Sequence, residues 1–260
     1  MSDNGNSELY KLIKDTIINL QNNTIPFEKY LNVQSKFYKY SVANTILILA
    51  QNSNVNVLKD ELSWKRESVR ISKMAKPINI LEPFLDVNGD VMGYNCKKMY
   101  DISDTNAKNR KKKYNERTIL KAFLHNNIAE IKAVDEFENL NINAKHEIIE
   151  DNKNLIYLKR GLSFNDIFIA LSRELADIEL NYSFDKEMYD FKKEVTAYLV
   201  CKSHDIDINN FNIEVPTSFS NISNVKARKE LSEIRNAVAK INEGIDDYLR
   251  SIDKAKNYVR

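Results

Sequence analysis

Arg173, Glu174 and Asp177 lie in the segment Leu162–Tyr182, LSFNDIFIALSRELADIELNY, whose apolar positions recur with a helical period. Positions 173 and 177 are four residues apart, so their side chains leave one face of that helix with Glu174 beside them. Two imidazoles at that spacing would ligate zinc while the Glu between them activates the metal-bound water, which is the chemistry of a zinc peptidase. This chain has a guanidinium and a carboxylate there instead. Arg is a permanent cation with no free lone pair and cannot be a ligand. Alone, Arg173 and Asp177 would form an ordinary helix-surface pair contributing roughly 0.3 kcal/mol. The three histidines, His125, His146 and His204, fall at neither position.

A second group of residues suits a different chemistry. A sequence-tolerant binder of nucleic acid needs cations for the phosphates and flat side chains for base stacking. Lys36, Lys39, Lys65, Arg66, Arg70, Lys73 and Lys76 supply the first, interleaved with Phe37, Tyr38, Tyr40 and Trp64; Asn44 completes the candidate set. Core packing is the competing explanation for Phe37, Tyr40 and Trp64. Residues 1–118 carry 19 Lys and Arg against 13 Asp and Glu, whereas the remainder carries 20 against 24. The front of the chain is therefore the candidate polyanion binder.

The elements that must position these residues follow from periodicity. Ser7–Leu20 reads as an amphipathic helix, Pro26 opens a second, and Tyr40–Gln51 reads as a buried third. Between Ser68 and Val91 the apolar residues fall in short strand-like runs, at Val69 and Ile71 and then Ile78–Phe84. Asn88-Gly89-Asp90 predicts a hairpin turn. Thr105–Arg117 is almost devoid of apolar residues and reads as a loop or linker. Helices are expected over Thr118–Glu130, Phe164–Leu180 with Ser163 as N-cap, Lys186–Lys202 and about Val225–Tyr258, with a strand at Leu155–Leu158. The fold class is thus α+β: N-terminal helices on a small antiparallel sheet, then a mostly helical C-terminal part.

Composition narrows the setting. Of 260 residues 43% are hydrophobic, enough for real cores, yet no run approaches the roughly 18–20 apolar residues of a membrane span. The polar start MSDNGNSE has no secretory core, and Cys96 and Cys201 make neither a disulfide framework nor a thiolate cluster. A cytoplasmic protein with reduced thiols is expected.

Several stretches resemble the ArdC and LtrC-like antirestriction family of plasmids and conjugative elements. Its helix pattern, approximately ARELAHAEL, is matched by Ser172–Leu180, SRELADIEL, and its following ESVAYLVC by Glu194–Cys201, EVTAYLVC. Gln34–Ile48, Trp64, Lys73–Pro83 and Tyr100–Thr105 correspond in order to the family's QSKFHNYSFNNTLLI, W, KGEKGIKILAP and YDISQT. The resemblance implies a single-stranded DNA-binding domain over residues 1–106, a basic segment over 107–117, and a zincin-like peptidase domain over 118–260. It also makes Glu194 the counterpart of the third zinc ligand. Both family histidines are replaced, by Arg173 and Asp177, so the cluster Arg173, Glu174, Asp177 and Glu194 is expected to be vestigial, with no metal, no cofactor and no proteolysis. Arg173 is expected to pair with Asp177 and Glu194 in the ion's place. Two glycines of the KGEKG turn are Met74 and Pro77 here, which stiffens it.

The function expected on these grounds is DNA binding, single-stranded in particular, of an antirestriction-like kind. The peptidase-like half would serve as scaffold or docking surface, with a host or mobile-element protein as a further partner and no membrane. An active metallopeptidase with an unorthodox site, and an inhibitor that binds a host defence enzyme through protein contacts alone, are the alternatives.

Overall fold

Ser41 is extended, and its hydroxyl accepts the amide of Asn44, capping a helix of ten residues of which seven are buried. In the computed structural model this helix, α3 (Val42–Gln51), follows α1 (Asp3–Gln21) and α2 (Phe27–Lys36) and precedes β1 (Leu58–Lys59), α4 (Glu61–Arg66), β2 (Ile78–Leu85) and β3 (Val91–Asp101). The structure describes residues 3–108, 113–125, 128–139, 141–180 and 184–258. It divides into one unit of Met1–Lys112 with Ser220–Lys229 and another of Lys113–Phe219 with Glu230–Arg260.

In the first unit the sheet order is β1-β3-β2, all antiparallel, and the hairpin turns through Gly89 at φ +88°. α3 packs on α1, α2 and β2 around Ile13, Ile17, Leu31, Ile46, Leu47 and Ile80. It also covers the free edge of β2 by hydrogen bonding. The Asn44 amide donates to Leu81 O at 2.9 Å and accepts Leu81 N–H at 2.8 Å, and Gln51 makes the same pair with Asn79 at 2.9 Å each way. Two side-chain amides thereby stand in for an adjoining strand and satisfy an otherwise open edge. Buried Asp101 gathers the amides of Asn56, Val57 and Ser103, holding the chain before β1. Residues 220–229 join this unit through Gln21, whose amide donates to Ile222 O and whose carbonyl accepts Ser220 Oγ–H.

The second unit contains α5 (Glu116–Leu124), β4 (Glu130–Val134), β5 (Ala144–Ile149), β6 (Lys153–Lys159), α6 (Phe164–Glu179) and α7 (Lys186–Ser203). The short α8 (Thr217–Asn221) and long α9 (Asn224–Tyr258) complete the described elements. Central β6 runs parallel to β4 and antiparallel to β5. α6 packs on β5, β6 and α7, and Phe123 of α5 stacks on Phe168 of α6 at 4.1 Å.

Three expectations need correction. The helix placed at Thr118–Glu130 ends at Leu124, capped by His125, and Glu130 already starts β4. β4 and β5 were not anticipated, because both are half-exposed edge strands without apolar alternation. Val69 and Ile71 form no strand; Ile71 makes only an isolated bridge to Thr105. No helix among the described residues is long and apolar enough to cross a membrane.

Asn44→Ala would leave the buried N–H and C=O of Leu81 without partners. A loss of about 2–3 kcal/mol in urea unfolding is expected, against a smaller loss for Gln51→Ala, whose position is less enclosed.

Candidate functional site

Ser163 caps α6 by accepting the amide of Asp166, and the helical register then presents Arg173, Glu174 and Asp177 toward α7 and β5. α7, capped by Asp185, brings Tyr189, Lys193 and Glu194 to the same place. The guanidinium of Arg173 meets the carboxylate of Glu194 through two bonds, Nε to Oε2 at 2.9 Å and Nη2 to Oε1 at 2.5 Å. Its Cζ also lies 4.9 Å from the centre of the Phe211 ring. This is a planar, bidentate cation–carboxylate pair backed by an aromatic face.

Asp177 does not join it. Its Oδ1 takes the Lys193 ammonium at 2.9 Å and the Tyr189 hydroxyl at 2.9 Å, while Oδ2 stands 3.8 Å from His146 Nδ1. Burial opposes ionisation of Asp177, but the Lys193 and Tyr189 hydrogen bonds outweigh it and hold the carboxyl below its ordinary range. Tyr189 is shifted the other way, upward, by burial and by its bond to Asp177, so it remains a donor. Glu174 accepts the backbone N–H of His146 at 2.9 Å. Burial pushes its carboxyl up, with the Lys193 charge and that amide pulling back in part.

The expected pairing of Arg173 with both carboxylates is therefore realised with Glu194 only. His146, Lys193, Tyr189 and Phe211 are members that sequence reasoning missed. Tyr189 and Lys193 were findable, being one helical turn apart on α7, whereas His146 arrives on the unanticipated β5. His204 sits elsewhere, with Nε2 3.0 Å from Asn242 Oδ1, and His125 stacks on Tyr248.

These donors do not fit a divalent ion. Each of the two carboxylates that would ligate it is occupied by a protein cation, and no cluster of three His, Cys, Asp or Glu suited to a metal occurs among the described residues.

The residues expected to bind nucleic acid divide sharply. Lys65, Arg66, Arg70, Lys73 and Lys76 are exposed between the end of α4 and the start of β2, with no side-chain ion pair among the described residues. Lys39 is exposed and lies over the half-buried Tyr38 ring at 5.5 Å. The Lys36 ammonium is held by Val55 O and Asn56 Oδ1. Tyr40 is half-buried, its ring edge-on to Phe37. Trp64, 2% exposed, gives its indole N–H to Tyr100 O, and Asn44 is committed to β2, so neither offers a face to a base.

No protein-family model and no curated protein matches the chain. Two solved structures of the antirestriction ArdC protein from plasmid R388 do resemble it. The Mn(II)-bound form has a TM-score of 0.54 at 10% identity, covering 91% of this chain and 97% of that one. The metal-free form has a TM-score of 0.46 at 11% identity, covering 80% and 86%. The likeness to the Mn(II)-bound form gives the chain an ArdC-like α+β fold.

The two carboxylates predict opposite pH behaviour. Asp177 ionises below its ordinary 3.8 in the folded chain, so its stabilisation is present above that value and is lost as pH falls through the folded one. Asp177→Asn should cost on the order of 1 kcal/mol at neutral pH and little in strong acid. Glu174, raised above 4.5, holds its proton more tightly folded than unfolded, so its ionisation erodes stability as pH rises. Relative to the parent, Glu174→Gln should gain stability with rising pH, measured by urea unfolding between pH 4 and 8.

Proposed function

We propose that this chain is a DNA-binding protein, with single strands its preferred form, that acts in an antirestriction-like role without peptidase chemistry. The observation that carries the second half is the pair of cation clasps, Arg173 on Glu194 and Lys193 on Asp177, at the positions where a zincin would collect its ligands. A guanidinium there repels a divalent ion, and Glu174 has no metal-bound water to activate. The peptidase-like fold then serves as a scaffold or as a docking surface for a host or mobile-element protein.

The DNA-binding half is supported by the five exposed cations between residues 65 and 76, and by the likeness in fold to a protein that acts in antirestriction. Phosphate contacts of this kind release counterions, so affinity must fall with salt. Fluorescence anisotropy with labelled single- and double-stranded oligonucleotides should show tighter single-strand binding that weakens steadily with added salt. Replacing Lys65 and Arg66 with Ala should lower the slope of log affinity on log salt by about 0.7 for each phosphate that is no longer neutralised. Absence of binding to either form at low salt would exclude the proposal.

The metal-free half has its own test. The purified protein should carry no stoichiometric transition metal. The double variant Arg173→His with Asp177→His, which restores two imidazoles beside Glu194, should acquire zinc measurable by titration with a chromogenic chelator. A stoichiometric ion in the parent protein would refute this half.

A further inference from the structure

Ser72 opens a β-turn whose two corner residues are Lys73 and Met74. The Ala75 N–H donates to Ser72 O at 3.1 Å, and the Ser72 hydroxyl accepts the Met74 N–H at 3.2 Å. Met74 is 87% exposed, and its backbone is not left-handed, so the turn presents a long apolar side chain without strain. The segment entering the turn is tied down. Arg70 N–H donates to Asn106 Oδ1 at 2.8 Å, Asn106 N–H returns to Arg70 O at 3.1 Å, and Ser72 N–H reaches Asp104 O at 2.8 Å. On the other side Pro77 restricts the chain just ahead of β2. A methionine thus stands at the tip of a projection that is ordered before any ligand arrives.

The charge around this tip is positive after its acids are counted. Lys65, Arg66, Arg70, Lys73 and Lys76 are exposed and have no ion pair among the described residues. Of the acids in the same stretch, Asp60 is paired with Lys97 and Glu67 with Lys59, which leaves Glu61 at the start of α4. Asp104, whose carbonyl meets the turn, adds one more. An apolar side chain held rigidly among cations gains nothing from water. A membrane surface is met by a face of several large apolar residues, and a single side chain between two lysines is too narrow for that. An unbranched thioether does fit the gap between adjacent bases, while the lysines beside it meet the phosphates.

We infer that Met74 is a stacking wedge: on a single strand it enters between neighbouring bases while Lys73 and Lys76 hold the phosphates to either side. The inference rests on the DNA-binding reading above, and it supplies the apolar base contact that the buried Trp64 cannot make.

The test uses the full chain and a short single-stranded deoxyadenosine oligonucleotide carrying one 2-aminopurine, whose emission is quenched while it stacks on its neighbours. Binding should raise that emission. Met74→Ala should weaken binding about fivefold, leave the slope of log affinity on log salt unchanged and abolish the rise in emission. Met74→Leu should retain both affinity and emission, and Lys73→Ala should lower the slope instead. A measurement on the parent protein alone is oxidation by hydrogen peroxide mapped by mass spectrometry. The bound strand should protect Met74, while Met92, 66% exposed on β3, oxidises as in the free protein. If the parent binds with unchanged emission and an unprotected Met74, or Met74→Ala binds as tightly, the wedge is wrong and the DNA-binding reading stands. If Met74→Ala loses binding to phosphatidylserine vesicles while its oligonucleotide affinity is intact, the tip belongs to a membrane surface and the inference fails. A parent protein that binds no oligonucleotide overturns the reading on which the inference rests.

Discussion

Two half-buried carboxylates, Asp177 on α6 and Glu194 on α7, stand where the helices pack, and each is met by a cation of its own. In a zincin an ion would serve both helices at once. Here the task is divided: a planar guanidinium takes Glu194 through two hydrogen bonds, and the Lys193 ammonium takes Asp177. The division matters physically. A metal ion draws its ligands into one tetrahedron, whereas Arg173 needs only the plane of one carboxylate and the Phe211 ring behind it. Asp177 is thus free to turn toward Tyr189 and His146. The Arg173–Glu194 pair fastens α6 to α7, and the half-buried Glu174 beside it accepts a backbone amide of β5.

A similar use of side chains shapes the first unit. Asn44 and Gln51, on a helix of otherwise apolar character, close the edge of β2 with paired amide bonds. That arrangement fixes α3 on the sheet and leaves the far end of the hairpin uncovered, where Phe84 and Tyr94 are exposed. Asn44, a candidate nucleic-acid contact by type, is committed to the fold, and Phe84 of the strand-like run stays at the surface.

That inversion explains what could be read from the chain beforehand. Helices with strong period and clear caps, such as α6 behind Ser163, were legible because a local signal decides them. The hairpin at Asn88–Asp90 was legible for the same reason. β4 and β5 were not: their residues alternate in no pattern, and only pairing with the apolar β6 makes them strands. The partner of Arg173 was half legible. Spacing brings Arg173 and Asp177 to one face, but Lys193 competes for Asp177 from α7, and no spacing rule ranks the two cations. Trp64 and Asn44 share types with nucleic-acid contacts, and type alone could not reveal that the indole N–H belongs to Tyr100 O or the amide to Leu81.

In the proposed reading, the Arg173–Glu194 clasp holds α6 to α7 where a zincin would hold its metal ion. A double-mutant cycle on these two residues, with Arg173→Ala, Glu194→Ala and both together compared by urea unfolding in the presence of a chelator, measures their coupling directly. A favourable coupling of about 1–2 kcal/mol is expected, so that the second substitution costs far less once the first is made. Strictly additive losses, or a parent protein that loses stability when the chelator is added, would contradict it.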